Sequence, residues 1–236
     1  MDLTYAAPYH NIISGNRVYN NWIAANNPVA CGAHTDGNGI IMDTFLDETK
    51  NSIVYPFQTL VGGNVSYANG GRGIHVFRTS NVTVANNTVY GNGTDTCINA
   101  YYLGDLSQAG GSNNVWVNNV AQSVQTAVNA SCGQYCGGRN APLVAGNSGG
   151  TTDSNNTYSY NVLYGGAGVQ LFNADVNSFS CSKNKCATNP MLDSPTATNF
   201  GLQSASPAIG YGFAGYYVLT SPVDAGACSK SLASCL

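Results

Sequence analysis

Two short phrases recur in alternation along the first two-thirds of the chain, and this repetition restricts the possible folds more than any other feature. The first phrase has the copies Asn16-Arg-Val-Tyr19, Asn64-Val-Ser-Tyr67, Asn87-Thr-Val-Tyr90 and Asn161-Val-Leu-Tyr164, with Asn119-Val-Ala121 as a degenerate fifth. The second phrase alternates apolar and polar residues at 39–43, 73–77, 97–101, 127–131 and 168–172. Interleaved strand-like phrases with a period in the twenties are typical of a solenoid, in which each repeat buries its apolar face against its neighbour. We therefore predict a parallel β-helix.

The composition agrees with an all-β fold. Only 8% of the residues are charged, Glu48 is the single Glu, and the chain contains 28 Gly. Long helices favour Glu, Lys and Arg, whereas Asn, Gly and Thr suit turns and strands. The net charge of −3 and the absence of a basic run argue against nucleic acid as a partner. The sequence contains no run of about 18 apolar residues, so no membrane-spanning helix is predicted.

The repeat divides the chain into two parts of one domain. Residues 1–175 are predicted to form the coils, with inserted loops at 43–57, 104–112 and 131–153, because the copies of the second phrase are unevenly spaced. Residues 176–236 are predicted to form a capping segment that covers the end of the solenoid. The N-terminal end has no such segment, and we expect its open edge to be covered by further coils or by a partner, self-association included.

The eight cysteines predict disulfides and an exported protein, secreted or periplasmic, because no zinc-type pairs are present. Cys181 with Cys186, and Cys228 with Cys235, are spaced as local links in the C-terminal segment. The pairing of the other cysteines stays open.

The period of two in the second phrase predicts which side chains face the core. The inward positions are Ile40, Ile74, Ile98, Val128 and Val169, followed by Met42, Val76, Ala100, Ala130 and Leu171. Between them, a solvent-facing column is predicted at Ile41, His75, Asn99, Asn129 and Gln170, followed by Asp43, Phe77, Tyr101, Ser131 and Phe172. A polar column beside a partly aromatic one predicts a groove for an extended chain. The recurring Asn of the first phrase favours a turn whose side-chain amides bond between coils.

The densest group of ionisable residues lies early in the chain. It comprises an acidic run with Asp36, Asp43 and Asp47, and a second run one coil later with Arg72, His75 and Arg78. Several carboxylates could hold Ca²⁺ while a base removes the α-proton of a uronate, and His75 is chemically the easier base. Asp36 and Asp43 could instead be the acid/base pair of an inverting hydrolase. Alternatively, Asp36 shapes a turn and the arginines only pair with the aspartates on the surface.

The phrases resemble the pectate-lyase-like superfamily of right-handed parallel β-helix proteins over nearly the whole chain. Asp36-Gly-Asn-Gly is similar to the Asp-Gly-x-Asp phrase of one group of calcium-dependent pectate lyases. Gly71-Arg-Gly-Ile-His75 is similar to their Gly-x-Gly-x-Lys phrase, with His75 in the place of the lysine base. Thr35-Asp-Gly37 matches the polygalacturonase-like hydrolases less well, because the chain has no adjacent Asp pair and no Arg-Ile-Lys.

This resemblance implies a secreted polysaccharide lyase that acts on an acidic polysaccharide. Under this hypothesis, Ca²⁺ is bound by Asp36, Asp43 and Asp47. The catalytic residues are His75, Arg72 and Arg78. The substrate subsites are lined by Phe77, Asn99 and Tyr101. A glycoside hydrolase that uses Asp36 and Asp43 is the alternative. A non-catalytic carbohydrate-binding or structural β-helix is the third reading, since the superfamily contains all of these.

Overall fold

The chain passes repeatedly through three parallel β-sheets, contributing one strand to each in turn. The structure, a computed structural model, describes residues 9–23, 33–45, 53–95, 97–98, 103–124, 141–172, 179–215 and 224–228. Strands account for 46% of the described residues and helix for 2%, which confirms the all-β prediction. None of the helical structure in the described residues is long and apolar enough to cross a membrane.

Each sheet is a stack of strands from successive passes, which we call coils. Sheet 1 contains β1 (Tyr9–Ser14), β4 (Gln58–Gly62), β7 (Val82–Ala85), β11 (Val115–Val117) and β15 (Thr157–Ser159). Sheet 2 contains β2 (Arg17–Tyr19), β5 (Val65–Tyr67), β8 (Thr88–Tyr90), β12 (Val120–Ser123), β16 (Val162–Gly165) and β18 (Lys185–Cys186). Sheet 3 contains β3 (Ile40–Asp43), β6 (Ile74–Phe77), β9 (Gly104–Ala109), β13 (Ala141–Gly146) and β17 (Gln170–Phe172). Two short pairs lie outside these sheets, β10 (Gly111–Ser112) with β14 (Asp153–Ser154), and β19 (Leu192–Ser194) with β20 (Asn199–Leu202).

The predicted core column of sheet 3 is confirmed where the structure describes it. Ile40, Met42, Ile74 and Val76 are all buried, at 7% exposure or less. The partly buried Val169 and Leu171 pack against the same cluster. Val128, Ala100 and Ala130 lie outside the described residues.

Asparagine side chains connect the coils at the corner between sheets 1 and 2. The members of this first ladder are Asn16, Asn64, Asn87, Asn119, Asn161 and Asn184. In each of the first five members, the backbone N–H and the side-chain amide donate to Oδ1 of the next member, over 2.9–3.1 Å. The prediction of amide bonds between coils is therefore confirmed. The left-handed backbone conformation belongs to the preceding residue, for example Gly63 (φ 67°) before Asn64.

The copies of the second phrase at 97–101 and 127–131 were expected to follow β6 in sheet 3, but other segments take these places. The strand beside β6 is β9, with His75 opposite Ser107, and the strand after that is β13. Two predicted loops are therefore wrong, because 104–112 begins with β9 and 131–153 contains β13. Phrase 127–131 lies outside the described residues.

The C-terminal segment covers two different surfaces. Its first part lies at the end of the stack, where β18 extends sheet 2 and the Phe179 ring lies 5.9 Å from that of Tyr158. The remainder lies along the outer face of sheet 2, where Phe200 and Ala208 pack in one cluster with Val120. The Cys181–Cys186 disulfide is present as predicted, and Cys97 and Cys228 are also disulfide-bonded. Cys235 lies outside the described residues.

Candidate functional site

Strand pairing brings the two ionisable runs together at the first two coils of sheet 3. β3 and β6 are paired in the predicted register, with Ile41 opposite His75 and Asp43 opposite Phe77. The backbone continues this pairing before the strands, because Gly39 N donates to Arg72 O over 2.8 Å. The sequence predicted this juxtaposition correctly, since the two Gly-Ile starts align.

Asp36 lies in a turn on the surface and accepts hydrogen bonds from two residues of that turn. Its carboxylate accepts hydrogen bonds from Thr35 Oγ1 at 2.8 Å and from Asn38 Nδ2 at 3.3 Å. Gly37 provides the turn with a φ of +91°, which L side chains rarely adopt. The turn-shaping role expected for Asp36 is thus present, and the carboxylate remains exposed.

Arg72 fastens this turn to the next coil. Its Nη1 donates to Thr35 O at 2.7 Å, and its backbone N–H donates to Asn38 Oδ1 at 2.9 Å. The side chain is buried, and burial lowers the pKa of the guanidinium from 12.5 to about 10, against the opposing charge of Asp36. No ion pair joins Arg72 to Asp36 or Asp43 among the described residues, so the predicted surface salt bridge is not formed there.

His75 lies on the outer side of sheet 3, as predicted, but it does not face solvent. The ring is 2% exposed, and the next residues along the same outward column, Ser107 and Val144, are 0% exposed. The solvent-facing prediction is therefore wrong at His75, because alternation fixes the side of the sheet and not whether that side is covered.

Burial and charge keep the His75 ring neutral. Burial, followed by the nearby charge of Arg72, lowers its pKa well below 6.5, against a hydrogen bond with the Ser107 carbonyl. Nδ1 lies 3.3 Å from Ser107 O, so the neutral ring carries its proton on Nδ1. The Nε2 lone pair is then the one that could accept a proton.

The predicted calcium ligands are not gathered into a site by the described residues. Asp43 is exposed and accepts a hydrogen bond from the neighbouring Thr44 hydroxyl. In the part of the chain that the structure describes, no group of three ionisable ligands includes Asp36 or Asp43. Asp47 lies outside the described residues. Ca²⁺ usually takes six to eight oxygen ligands, and the two aspartates alone provide too few.

Phe77 and Arg78 form an aromatic and cationic pair beside His75. The Phe77 ring lies 5.6 Å from the His75 ring, and the Arg78 guanidinium carbon lies 4.6 Å from the Phe77 centroid. Asn99 and Tyr101, the other predicted subsite residues, lie outside the described residues. The strand that pairs with β6 is β9, so the register used to place them beside Phe77 is wrong.

A buried His–Asp pair close to Arg72 was missed by the sequence analysis. Nδ1 of His34 lies 2.8 Å from Oδ2 of Asp95, and both side chains are less than 10% exposed. The Cys97 backbone N–H donates to Asp95 Oδ1 at 2.8 Å. With Cys97 the pair forms a group of possible metal ligands, but the sulfur of Cys97 is in a disulfide. No repeat position connects these residues, so the sequence offered no signal beyond the nearness of Asp95 to Asn92.

A scan against protein-family models and searches of curated proteins and solved structures found no match.

Proposed function

We propose that this protein is an exported, right-handed parallel β-helix that cleaves an acidic, uronate-containing polysaccharide by β-elimination. The observation that supports this proposal is the β3–β6 register, which sets the Asp36 turn and Asp43 beside Arg72 and His75. The cyclic order of three parallel sheets is the order that a parallel β-helix requires. Disulfides fit an oxidising compartment.

The chemistry assigns the base to His75. Nε2 accepts the proton from C5 of the uronate, the C5–H electron pair forms the C4=C5 double bond, and the C4–O4 bond breaks. The leaving oxygen takes a proton from water. The positive charge of Arg72 stabilises the enolate-like intermediate, because a preorganised charge in a water-poor site is effective. No step is assigned to Ca²⁺, since Asp36 and Asp43 do not form a calcium site by themselves.

The test is the ultraviolet absorbance of the unsaturated product during incubation with uronate polymers, with reducing ends counted in parallel. His75→Gln should lower kcat by about 10²–10⁴-fold, the usual contribution of a general base. His10→Gln is the matched control, because His10 is exposed on β1 in sheet 1. Urea unfolding of both variants separates loss of activity from loss of folding.

The pH profile provides a second readout. Because the pKa of His75 lies well below 6.5, the base stays unprotonated down to mildly acidic pH. The acid limb of kcat/KM should therefore fall below pH 6.5. Reducing ends without absorbance would indicate hydrolysis instead and would contradict the lyase proposal.

Carbohydrate binding without cleavage is the second candidate, and the burial of His75 favours it. A ring that is 2% exposed is poorly placed to meet a polymer, and the hydrogen bonds of Arg72 also fit a structural role. Polymer retention on an affinity gel, unchanged in His75→Gln and without product in either assay, would favour this candidate.

A further inference from the structure

An exposed group of aromatic rings lies where the C-terminal segment meets the corner between sheets 1 and 2. The rings of Tyr160 and Phe213 are nearly parallel, with centroids 5.3 Å apart and an angle of 16° between their planes. Tyr211 adds a third ring, whose centroid lies 5.8 Å from that of Tyr160. Tyr160 is 37% exposed and Phe213 is 42% exposed. We call these three residues the aromatic patch.

Tyr160 holds a backbone conformation that a bulky side chain disfavours. It has a φ of +58° and directly precedes Asn161 of the first ladder. In the four earlier coils the residues at this place also have positive φ, and they are Gly15, Gly63, Asn86 and Asn118. Glycine and asparagine tolerate the left-handed region, whereas tyrosine pays a conformational cost there. Such a cost is expected where the side chain has a function.

Phe213 is held in the patch through both its backbone and its ring. Its N–H donates to Asn118 Oδ1 over 2.7 Å, and its C=O accepts from Asn118 Nδ2 over 2.8 Å. Gly215 lies beside the ring, since a Cβ added there would come within 2.1 Å of a ring carbon. The ring is therefore positioned in advance, and a ligand that stacks on it loses little affinity to the ordering of the protein.

Two lysines place positive charge beside the patch. Lys185 Nζ lies 4.1 Å from the centroid of the Tyr211 ring and donates to Pro207 O over 2.6 Å. Lys183 is exposed, and its carbonyl accepts from the Tyr160 N–H over 2.6 Å. In the part of the chain that the structure describes, no ion pair includes either lysine.

We propose that the aromatic patch is a second binding site, for a sugar chain that carries carboxylates. A pyranose ring presents C–H groups on its flat face, and the electron-rich face of an aromatic ring attracts them. The lysines then attract the carboxylates of the chain. The patch lies at the corner between sheets 1 and 2, whereas His75 lies on sheet 3, so it holds the polymer away from the candidate site. The uronate as the source of the carboxylate rests on the proposed function, while stacking on the rings does not.

The first experiment follows the ring ¹³C–¹H resonances of Tyr160 and Phe213 during titration with a galacturonate trisaccharide, its neutral methyl ester, and acetate. We expect both saccharides to shift these resonances, because a stacked sugar contacts the rings directly. The ester should bind about fivefold more weakly, as for the loss of a surface ion pair, and acetate should cause no shift.

Tyr160→Asn separates binding from folding. Asparagine already occupies this place in earlier coils, at Asn86 and Asn118, so the variant relieves the backbone while it removes one ring. We expect the affinity for the trisaccharide, followed at Phe213, to fall by about tenfold or more. The midpoint of urea unfolding should not fall.

Gly215→Ala is a second variant, and it has a matched control. The added Cβ displaces the Phe213 ring, and Gly215 does not have a positive φ, so the backbone is not strained. Gly201→Ala is the control, because its φ is also not positive and its Cβ meets only Oδ1 of Asn199, at 3.2 Å. We expect about tenfold weaker binding in Gly215→Ala and wild-type binding in Gly201→Ala.

Each contrary result overturns a stated part of the proposal. No shift with either saccharide, or wild-type affinity in both Tyr160→Asn and Gly215→Ala, would overturn the site. Unchanged binding with a lower unfolding midpoint in Tyr160→Asn would show that this ring only packs the C-terminal segment. Equal affinity for the acid and its ester would overturn the preference for carboxylates, and a shift with acetate would overturn the assignment to a sugar. Because the readout is at the two rings, failure of the lyase assay would contradict the proposed reaction at His75 and not this site.

Discussion

Sheet 2 has a ladder of asparagine side chains at each of its two corners, and the two ladders end differently. At the corner with sheet 1, the first ladder continues through six asparagines to Asn184. At the corner with sheet 3, a second ladder runs from the backbone of Asn21 through the side chains of Asn69 and Asn92 and then meets the carboxyl group of Asp105. The continuous corner has a structural role, whereas the interrupted corner borders the candidate site.

The end of the second ladder shows what an asparagine provides that an aspartate does not. Asp105 Oδ1 accepts from the Asn92 backbone N–H at 3.0 Å and from its amide at 2.8 Å, as a ladder asparagine would. Oδ2 stands where the amide NH₂ would be, and it has no hydrogen-bond partner. Burial raises the pKa of Asp105 to about 7, against the hydrogen bonds from Asn92. The nearby Ser123 hydroxyl also acts to lower this pKa.

The largest loss of stability is expected when the first ladder, which is continuous, is interrupted. Asn87→Ala removes amide bonds to Val61 O and Asn119 Oδ1 and leaves the donors of Asn64 without an acceptor. Because each buried polar group left unpaired costs about 1–3 kcal/mol, we expect a loss of about 3–5 kcal/mol in the free energy of unfolding. Urea unfolding measures it.

Asn16→Ala is the control for this variant. Asn16 makes the same bonds to Asn64 but is exposed at the end of the ladder, so water replaces them and the loss should be about 1 kcal/mol or less. Equal losses at both positions would show that the ladder is not a cooperative internal structure.

Asp105→Asn should complete the second ladder, because it replaces the carboxyl group at the end of that ladder with an amide. The folded state holds the Asp105 proton up to about pH 7, whereas an ordinary carboxyl group loses it near 3.8. Between these values the folded state binds more protons than the unfolded state, so the wild type loses stability as pH rises. The variant keeps a neutral side chain throughout. We therefore expect it to match the wild type near pH 4 and to exceed it by about 2–4 kcal/mol at pH 8.

Urea midpoints at pH 4, 6 and 8 test this expectation. Asp193→Asn is a suitable control, because Asp193 is exposed on β19. A difference between Asp105→Asn and the wild type that does not change with pH would rule out titration of Asp105 as its cause.

Strand pairing in sheet 3 could be predicted from the sequence where the inward residues are apolar, and it was missed where an inward residue is polar. The β3–β6 pairing could be predicted because both strands carry apolar residues at the inward positions. β9 was missed because Gln108 occupies the inward position opposite Val76. Its amide oxygen accepts from Trp116 Nε1 at 3.2 Å and from Asn114 Nδ2 at 3.1 Å, so a satisfied polar side chain replaces an apolar one. Hydropathy alone does not reveal such a position.

At the candidate site, too, local sequence patterns predicted some features and missed others. Alternation predicted the side of the sheet for His75, but its burial depends on what covers the middle coils, and no local pattern encodes that. The His34–Asp95 pair joins residues 61 positions apart at irregular places in the repeat. Phe77 was predicted to line a substrate subsite and Arg78 to be catalytic, whereas the contact between Arg78 and Gly149 depends on a turn two coils further along.

The smallest expected effect concerns the far end of the first ladder. Asn184 lies inside the loop closed by the Cys181–Cys186 disulfide, and Oδ1 of Asn184 accepts from the backbone and amide of Asn161 at 3.1 and 2.9 Å. A loop this short restricts the unfolded chain only modestly, so the Cys181→Ser/Cys186→Ser variant should lose about 2 kcal/mol, less than Asn87→Ala. Hydrogen exchange should then rise at Asn161 and Lys185, whose N–H groups bond at this end, and stay unchanged at Asn64. Faster exchange along the whole ladder would instead mean that the disulfide-closed turn supports every coil, and the two corners would differ in how they are anchored rather than in how they end.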